Sequence, residues 1–223
     1  MENNKEIKLR RLQRIEGTAV SERTYNNVIG LTLAWGILIN VIMATLLKPY
    51  ILKIDFRVCL VVYLILSLVC IFVVHRSASP TVSFLGFTGL AIAMGLLLTN
   101  ILTMYSSATI YSAFLSTGII VVSMMLISMF FPQFFLSLGR VLIIALLGSV
   151  GIELIGGLLF HIPMEWMDYV IIVIFSGYIG YDWANAQAYP KTMHNAVDSA
   201  ADIYIDIINI FIRILSIMGK KND

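Results

Sequence analysis

Seven long apolar segments alternate with short polar stretches along most of this chain. The apolar segments occupy about residues 25–47, 58–74, 81–102, 110–131, 138–160, 166–183 and 196–218. A helix of about 20 apolar residues crosses the hydrocarbon core of a bilayer, and each segment is close to that length. The pattern therefore predicts an all-α membrane protein with seven transmembrane helices, in a domain of residues 25–223 that follows a polar arm of residues 1–24.

Composition agrees with this interpretation. Hydrophobic residues make up 59% of the 223 residues and charged residues 13%, which is about half the charged fraction of soluble domains. The spans leave no room for a separate soluble domain. The polar start does not have the form of a secretory signal, so we expect the first apolar segment to be a retained span.

The arm is rich in basic residues. It holds six of the 15 lysines and arginines: Lys5, Lys8, Arg10, Arg11, Arg14 and Arg23. Positive residues favour the cytoplasmic side of a membrane, so we expect a cytoplasmic N-terminus. Four glutamates partly neutralise the arm, which argues against nucleic-acid binding. Lys220 and Lys221 favour a cytoplasmic C-terminus as well, which would require a last segment that does not cross fully.

The last apolar segment carries a polar stripe. Asp198, Asp202, Asp206, Asn209 and Arg213 recur at spacings of three or four, which places them on one face of a helix. A charged residue at bilayer depth costs about 2.5–3.5 kcal/mol on insertion scales. The stripe must therefore face a cavity or neighbouring helices, and we expect Asp202 and Asn209 to add to its polar lining.

Two aspartates at membrane depth are the strongest candidates for function. Asp182 near the end of the sixth segment and Asp206 are 24 positions apart. Within hydrogen-bond reach, two carboxylates resist ionising together and share one proton over a range of pH. Deprotonated, they offer the hard oxygen ligands that Ca²⁺ prefers. The pair is a candidate pH sensor and metal site; alternatively, Asp182 caps a helix and Asp206 pairs with Arg213 or Arg76.

Other polar residues are weaker candidates. Glu153 either joins the cavity or hydrogen-bonds to another helix. Arg76 and Arg213 are candidate latches or counter-ions for the aspartates, or extend to the interface from helix ends. His161 and His194 are predicted in loops without a partner at ligand spacing, which argues against a histidine metal site. We expect no enzyme, because no nucleophile–base pair is visible, and no organic cofactor.

A sequence motif spans the last two segments. It comprises GYDWANAQ, a polar loop and IYIDIINIF, with key residues Tyr181, Asp182, Tyr204, Asp206, Asn209 and Phe211. This motif resembles the C-terminal signature of bacterial members of the Bax inhibitor family. The stretch RTYNNVIGLTLAWG is similar to the start of their first span, and the resemblance covers nearly the whole chain from about Arg23.

The resemblance implies six helices around a central seventh and a pH-sensitive calcium leak channel in a bacterial cytoplasmic membrane. It implies that Asp182 and Asp206 are the sensor and that Arg76 is the nearest match to a latch arginine. Asp202 and Glu153 have no counterpart in the family pattern. The implied partners are the lipid bilayer, calcium ions and protons. A second hypothesis is a membrane-embedded regulator that binds another membrane protein, such as a quality-control protease, through the arm.

Overall fold

The architecture is helical throughout the part of the chain that can be described. A computed structural model describes residues 9, 11–12, 19–77, 79–158 and 165–220. Nine helices lie within residues 19–77, 79–158 and 165–220: α1 Glu22–Thr45, α2 Lys48–Ile51, α3 Phe56–Arg76, α4 Pro80–Leu102, α5 Ser107–Phe130, α6 Pro132–Ser137, α7 Gly139–Leu158, α8 Met167–Ala188 and α9 Met193–Lys220. In these ranges, β pairing is limited to an isolated bridge between Ala19 and Thr192. The predicted all-α class is confirmed for these residues.

Five helices are long and apolar enough to cross a membrane. Within the described ranges these are α1, α3, α4, α5 and Gly139–Gly156 of α7. Their 18 to 24 residues correspond to about 27–36 Å of helix, close to the roughly 30 Å hydrocarbon core. The sequence predicted two more spans, which correspond to α8 and α9. These helices have 22 and 28 residues and are long enough, but their polar and charged residues make them less apolar than the five helices above.

Helix starts follow local sequence signals. Ser21, Asp55 and Ser106 precede α1, α3 and α5, and each side chain accepts a hydrogen bond from a backbone N–H of the first turn. Such caps satisfy donors that have no partner within the helix. Pro80 and Pro132 stand in the first turns of α4 and α6, where a missing N–H is harmless.

The structure corrects the predicted polar segment before the last helix. α8 continues to Ala188, beyond the predicted end at Trp183, and α9 begins at Met193. His194 was expected in a loop but is the second residue of α9. The connection between α8 and α9 is therefore only residues 189–192.

Two compact units make up the chain. The first comprises Met1–Met104 with Ala188–Tyr204, and the second comprises Tyr105–Gln187 with Ile205–Asp223. In the first unit, α4 packs against both α1 and α3. Most of the predicted arm of residues 1–24 lies outside the described residues, but Leu9, Arg11 and Leu12 are helical.

Apolar side chains cover the exposed faces of the spanning helices. Examples that are more than 60% exposed are Leu31, Ile65, Leu68, Ile119, Ile144 and Leu147. Such a surface is typical of contact with lipid and would be unfavourable in water. The isoleucines of α9 behave differently, because Ile203, Ile208, Ile210 and Ile214 are all buried. These four isoleucines of α9 therefore pack against protein.

Candidate functional site

Asp182 and Asp206 both belong to the second unit. Asp206 lies halfway along α9 and is 5% exposed, whereas Asp182 is half-buried near the end of α8. The charges of both carboxylates act on the hydroxyl of Tyr178, one turn before Asp182. Because Coulombic interactions weaken with distance, Tyr178 is near both predicted carboxylates. Tyr178 was not among the predicted site residues.

Close packing fixes the part of α8 that carries Asp182. The rings of Tyr178 and Tyr181 meet edge to face, with centres 6.4 Å apart. The carbonyl oxygen of Gly180 accepts a hydrogen bond from Ser128 Oγ at 2.6 Å. Gly180 also lies directly against the Phe135 ring, where any side chain would overlap it. These contacts oppose rotation of α8 and so set the direction of the carboxylate that follows.

Arg213 joins two carboxylates in the second unit. Its Nη1 and Nη2 donate to Oε1 and Oε2 of Glu153 at 2.7 and 3.0 Å, and Nη1 also donates to Asp168 Oδ1 at 2.9 Å. Ser216 Oγ donates to Asp168 Oδ2 at 2.9 Å. The sequence suggested either extension of Arg213 to the interface or a pair with Asp206. Its guanidinium instead bridges Glu153 on α7 and Asp168 on α8.

Two other predicted residues have local contacts. Asn209 is half-buried, and its Nδ2 donates to the carbonyl oxygen of Ile205 one turn earlier, at 2.8 Å. Arg76, in the first unit, is exposed at the end of α3. Its guanidinium carbon lies 5.0 Å from the centre of the Phe72 ring, within cation–π range. This position agrees with a side chain that extends to the interface from a helix end.

A second charged cluster lies in the first unit, around Arg11 and Asp202. Arg11 Nη1 donates to Asp202 Oδ2 at 2.9 Å, and its Nε lies 3.6 Å from Asp198 Oδ2. Asp202 Oδ1 lies 2.9 Å from His75 Nε2. Burial acts to lower the pKa of Arg11, but the charges of Asp202 and Asp198 outweigh it and raise that pKa above its ordinary value. The cluster therefore holds a permanent cation that is 4% exposed.

A serine, a histidine and an aspartate meet in the same unit. Ser83 Oγ lies 2.7 Å from His194 Nε2, and the same nitrogen lies 3.5 Å from Asp198 Oδ1. Ser83 also donates its hydroxyl hydrogen to the carbonyl oxygen of Val74 at 2.9 Å. A serine hydrolase uses the two ring nitrogens of its histidine for two different partners. Here one nitrogen faces both, so the arrangement is a hydrogen-bond network and does not have triad geometry.

A buried polar bridge joins three helices of the first unit. Asn40 on α1 donates through Nδ2 to the carbonyl oxygen of Ala91 on α4 at 2.8 Å, and its Oδ1 accepts from the Tyr204 hydroxyl at 2.7 Å. Tyr204 is fully buried, and its ring packs edge to face against Phe87 with centres 5.3 Å apart. Tyr204 thus has a clear structural task in α9.

Metal-binding geometry is limited in the described part of the chain. Within residues 9, 11–12, 19–77, 79–158 and 165–220, no group of three or more His, Cys, Asp and Glu side chains has an arrangement that could hold a metal ion. The predicted cation site has two candidate ligands of this kind, the carboxylates of Asp182 and Asp206. His161 lies outside the described residues.

Comparison with known proteins places the chain in a family. The family described as "Inhibitor of apoptosis-promoting Bax1" matches residues 18–223. The chain belongs to the Bax inhibitor family. It is also 31% identical over 138 residues to proteins named "Uncharacterized membrane protein" in Streptococcus pyogenes serotypes M1, M3 and M6. Each match covers 57% of this chain and 59% of the relative, so the chain spans about three fifths of the length of these relatives.

Membership of the Bax inhibitor family confirms the resemblance seen in the C-terminal motif. Together with the five apolar spans and the membrane-protein names of the relatives, it makes this an integral membrane protein. The motif residues Tyr181 and Asp182 lie on α8, while Tyr204, Asp206 and Asn209 lie on α9. The residues of the motif therefore lie on two helices that are consecutive in the chain.

The Arg11 cluster of this Bax inhibitor protein was largely missed from sequence. His194, Asp198 and Asp202 are spaced four and four. This spacing would have placed His194 on the polar stripe if the last helix had been predicted to begin before residue 196. Arg11 and His75 gave no such signal, because they lie 191 and 127 positions from Asp202. Their roles depend on tertiary contacts alone.

Proposed function

We propose that this Bax inhibitor family member is a pH-sensitive calcium leak channel, gated by protonation of Asp182 and Asp206. The observation that supports the proposal is the placement of both motif carboxylates in one compact unit, on consecutive helices, with Asp206 almost wholly buried. Burial and mutual repulsion both disfavour two ionised carboxylates. A shared proton is therefore the favoured state of such a pair at lower pH.

The proposed mechanism uses the charge change of this pair. With a proton bound, the pair can hydrogen-bond internally and hold α8 and α9 together. After loss of the proton, two negative charges repel one another and present oxygen ligands to a passing Ca²⁺, which is the transported substrate. No covalent chemistry is involved. Latch or counter-ion roles for Arg76, and polar lining by Asp202 and Asn209, stay predictions.

The proposal includes a finer topology. We expect α8 and α9 to cross the membrane as well, because their 22 and 28 residues exceed the roughly 20 that a span requires. Burial of Ile203, Ile208 and Ile210 supports a central position for α9, surrounded by the other six spanning helices. A cytoplasmic N-terminus in a bacterial cytoplasmic membrane completes this topology.

Calcium entry into proteoliposomes tests the proposal. The purified protein is reconstituted into liposomes that enclose a calcium-sensitive dye. Calcium influx is then measured at several pH values for the wild type, Asp182→Asn and Asp206→Asn. We expect the wild-type flux to depend on pH and the Asp206→Asn flux to lose that dependence. Asp55→Asn is the matched control, since Asp55 is an exposed helix cap and asparagine caps equally well.

Two outcomes would contradict the proposal at different points. A pH profile that neither substitution changes would exclude the aspartate pair as the gate. No flux above that of empty liposomes at any pH would exclude the leak itself. That second outcome would favour the regulator hypothesis, and deletion of the arm, residues 1–24, should then abolish co-purification of a membrane-protein partner.

A further inference from the structure

His75 has an acceptor oxygen at each of its two ring nitrogens. Its Nδ1 lies 2.8 Å from the carbonyl oxygen of Ile71, one turn earlier on α3, and its Nε2 lies 2.9 Å from Asp202 Oδ1 on α9. A carbonyl or ionised carboxylate oxygen accepts hydrogen bonds and cannot donate them. A neutral imidazole carries one ring hydrogen, so one of its nitrogens would direct a lone pair at an oxygen. Both contacts are satisfied together only by the doubly protonated, positively charged ring.

The alternative places the proton on Asp202, whose carboxylic acid would then donate to His75 Nε2. Arg11 opposes this arrangement, because its Nη1 donates to Asp202 Oδ2 at 2.9 Å and a guanidinium favours an ionised carboxylate. Beyond Arg11 follow Asp198, with Oδ2 3.6 Å from Arg11 Nε, and His194, with Nε2 3.5 Å from Asp198 Oδ1. Each oxygen of Asp202 therefore faces one donor group, and the proton belongs on His75.

Electrostatic effects on His75 act in both directions. The side chain is 13% exposed, and burial and the charge of Arg11 both disfavour an imidazolium. Asp202 and the carbonyl oxygen of Ile71 favour it. His75 also lies in the last turn of α3, where the partial negative charge of the helix end stabilises a cation. Arg76, the next residue on α3, is exposed, so water and salt screen its repulsion.

We propose that His75 is a second proton-binding site of this protein, and that its bound proton maintains an ion pair with Asp202 between the end of α3 and α9. The pair joins residues 127 positions apart within the first unit. Loss of the proton leaves one of the two ring contacts without a hydrogen bond, so the link weakens as the pH rises. The inference goes beyond the proposed ion flux, since Asp182 and Asp206 belong to the second unit.

Nitrogen NMR of the imidazole measures its protonation state directly. The chain has three histidines, so protein labelled with ¹⁵N-histidine in lipid nanodiscs gives three pairs of ring signals. The pair that is missing from His75→Gln belongs to His75. At pH 7.5 a free histidine is about one tenth protonated, whereas we expect His75 to show the two closely spaced signals of an imidazolium. Two widely separated signals, as in a neutral ring, would overturn the proposal.

Asp202→Asn tests the partner of the proton. Asparagine can donate from Nδ2 to His75 Nε2 while Nδ1 donates to the carbonyl oxygen of Ile71, so a neutral ring satisfies both contacts. We expect the His75 signals of this variant to separate widely at the same pH. An imidazolium that persists would show that Asp202 does not hold the proton and would contradict the proposal. The pair of signals that separates also assigns His75 if His75→Gln does not fold.

The pH dependence of stability tests the ion pair itself. His75→Gln should lower the midpoint of thermal unfolding more at pH 6 than at pH 9, because stabilisation by the bound proton is present at low pH and is lost as the histidine loses that proton. We expect the difference from wild type to shrink at least about twofold across this range. Arg57→Gln, at the exposed opposite end of α3, should have the same effect at both pH values. Equal effects of His75→Gln at both would refute the proposal, and none of these measurements depends on calcium flux.

Discussion

Arg213 and Glu153 form a two-pronged ion pair in the second unit, with Nη1–Oε1 and Nη2–Oε2 distances of 2.7 and 3.0 Å. The planar guanidinium matches both oxygens of the carboxylate at once, which an ammonium cannot do. We expect Arg213→Lys to lower the free energy of unfolding by about 1–2 kcal/mol. Arg213→Gln should cost about 2–4 kcal/mol, because Glu153 and Asp168 would lose their shared cation.

Unfolding of the purified protein in detergent, followed by circular dichroism, measures both effects. Arg140→Gln is the matched control, because Arg140 lies exposed on α7 and surface changes stay within about 0.5 kcal/mol. If Arg213→Lys and the wild type unfold alike, the second hydrogen bond contributes nothing to stability.

Tyr204→Phe should destabilise the first unit. Removal of the hydroxyl leaves the buried Oδ1 of Asn40 without its 2.7 Å hydrogen bond, and a buried acceptor left unpaired costs about 1–3 kcal/mol. Tyr50→Phe is the control, since Tyr50 is 67% exposed. Thermal unfolding of the two variants should differ clearly, and equal midpoints would show that Asn40 finds another partner.

Two glycines of α1 should respond to alanine with opposite signs. A methyl group at Gly36 would lie 2.7 Å from Phe87 Cζ and 3.0 Å from Tyr204 Cε2, whereas at Gly30 it would meet no described atom within 4 Å. We expect Gly36→Ala to cost about 1–3 kcal/mol through overpacking. Gly30→Ala should stabilise by up to about 1 kcal/mol, since alanine favours a helix interior. Denaturant unfolding in detergent compares them directly; equal changes at both positions would refute the packing argument.

Tyr178→Phe should shift the pH midpoint of calcium flux without abolishing the flux. The hydroxyl lies within range of both Asp182 and Asp206, and loss of a polar group disfavours the ionised carboxylates. The midpoint should therefore rise, by less than about one pH unit. Tyr169→Phe serves as control, because Tyr169 is 60% exposed at the start of α8. A lower midpoint in Tyr178→Phe would contradict this account of the pair.

Local patterns in the sequence predicted the order and approximate limits of the long helices. The predicted third segment, 81–102, coincides with α4 to within one residue, because Pro80 marks its start. The spacing of Asp198, Asp202 and Asp206 correctly placed them on one helix. The short helices α2 and α6 were not predicted, since each lies within a loop of only a few residues where periodicity carries no signal.

Partners across the fold could not be predicted in the same way. Nothing near Arg213 in the sequence points to Glu153, which lies 60 positions earlier. From sequence, Asp206 was one possible partner of Arg213 and the interface was the alternative, whereas its contacts with Glu153 and Asp168 depend on where α7 and α8 lie in the fold. The same limitation applies to Arg11, because burial of its charge is favourable only once the carboxylates of α9 are in place.

The hydrogen bond between Asn40 and Tyr204 also has a consequence for biosynthesis. The two residues lie 164 positions apart, so at about 5–20 residues per second a ribosome adds Tyr204 roughly ten to thirty seconds after Asn40. During that interval the first helix is present but one polar group in its core lacks its final partner. The first unit therefore cannot finish folding while the middle of the chain is being made. Its completion waits for the last helix to leave the ribosome, and a nascent chain that stops after α8 lacks Tyr204.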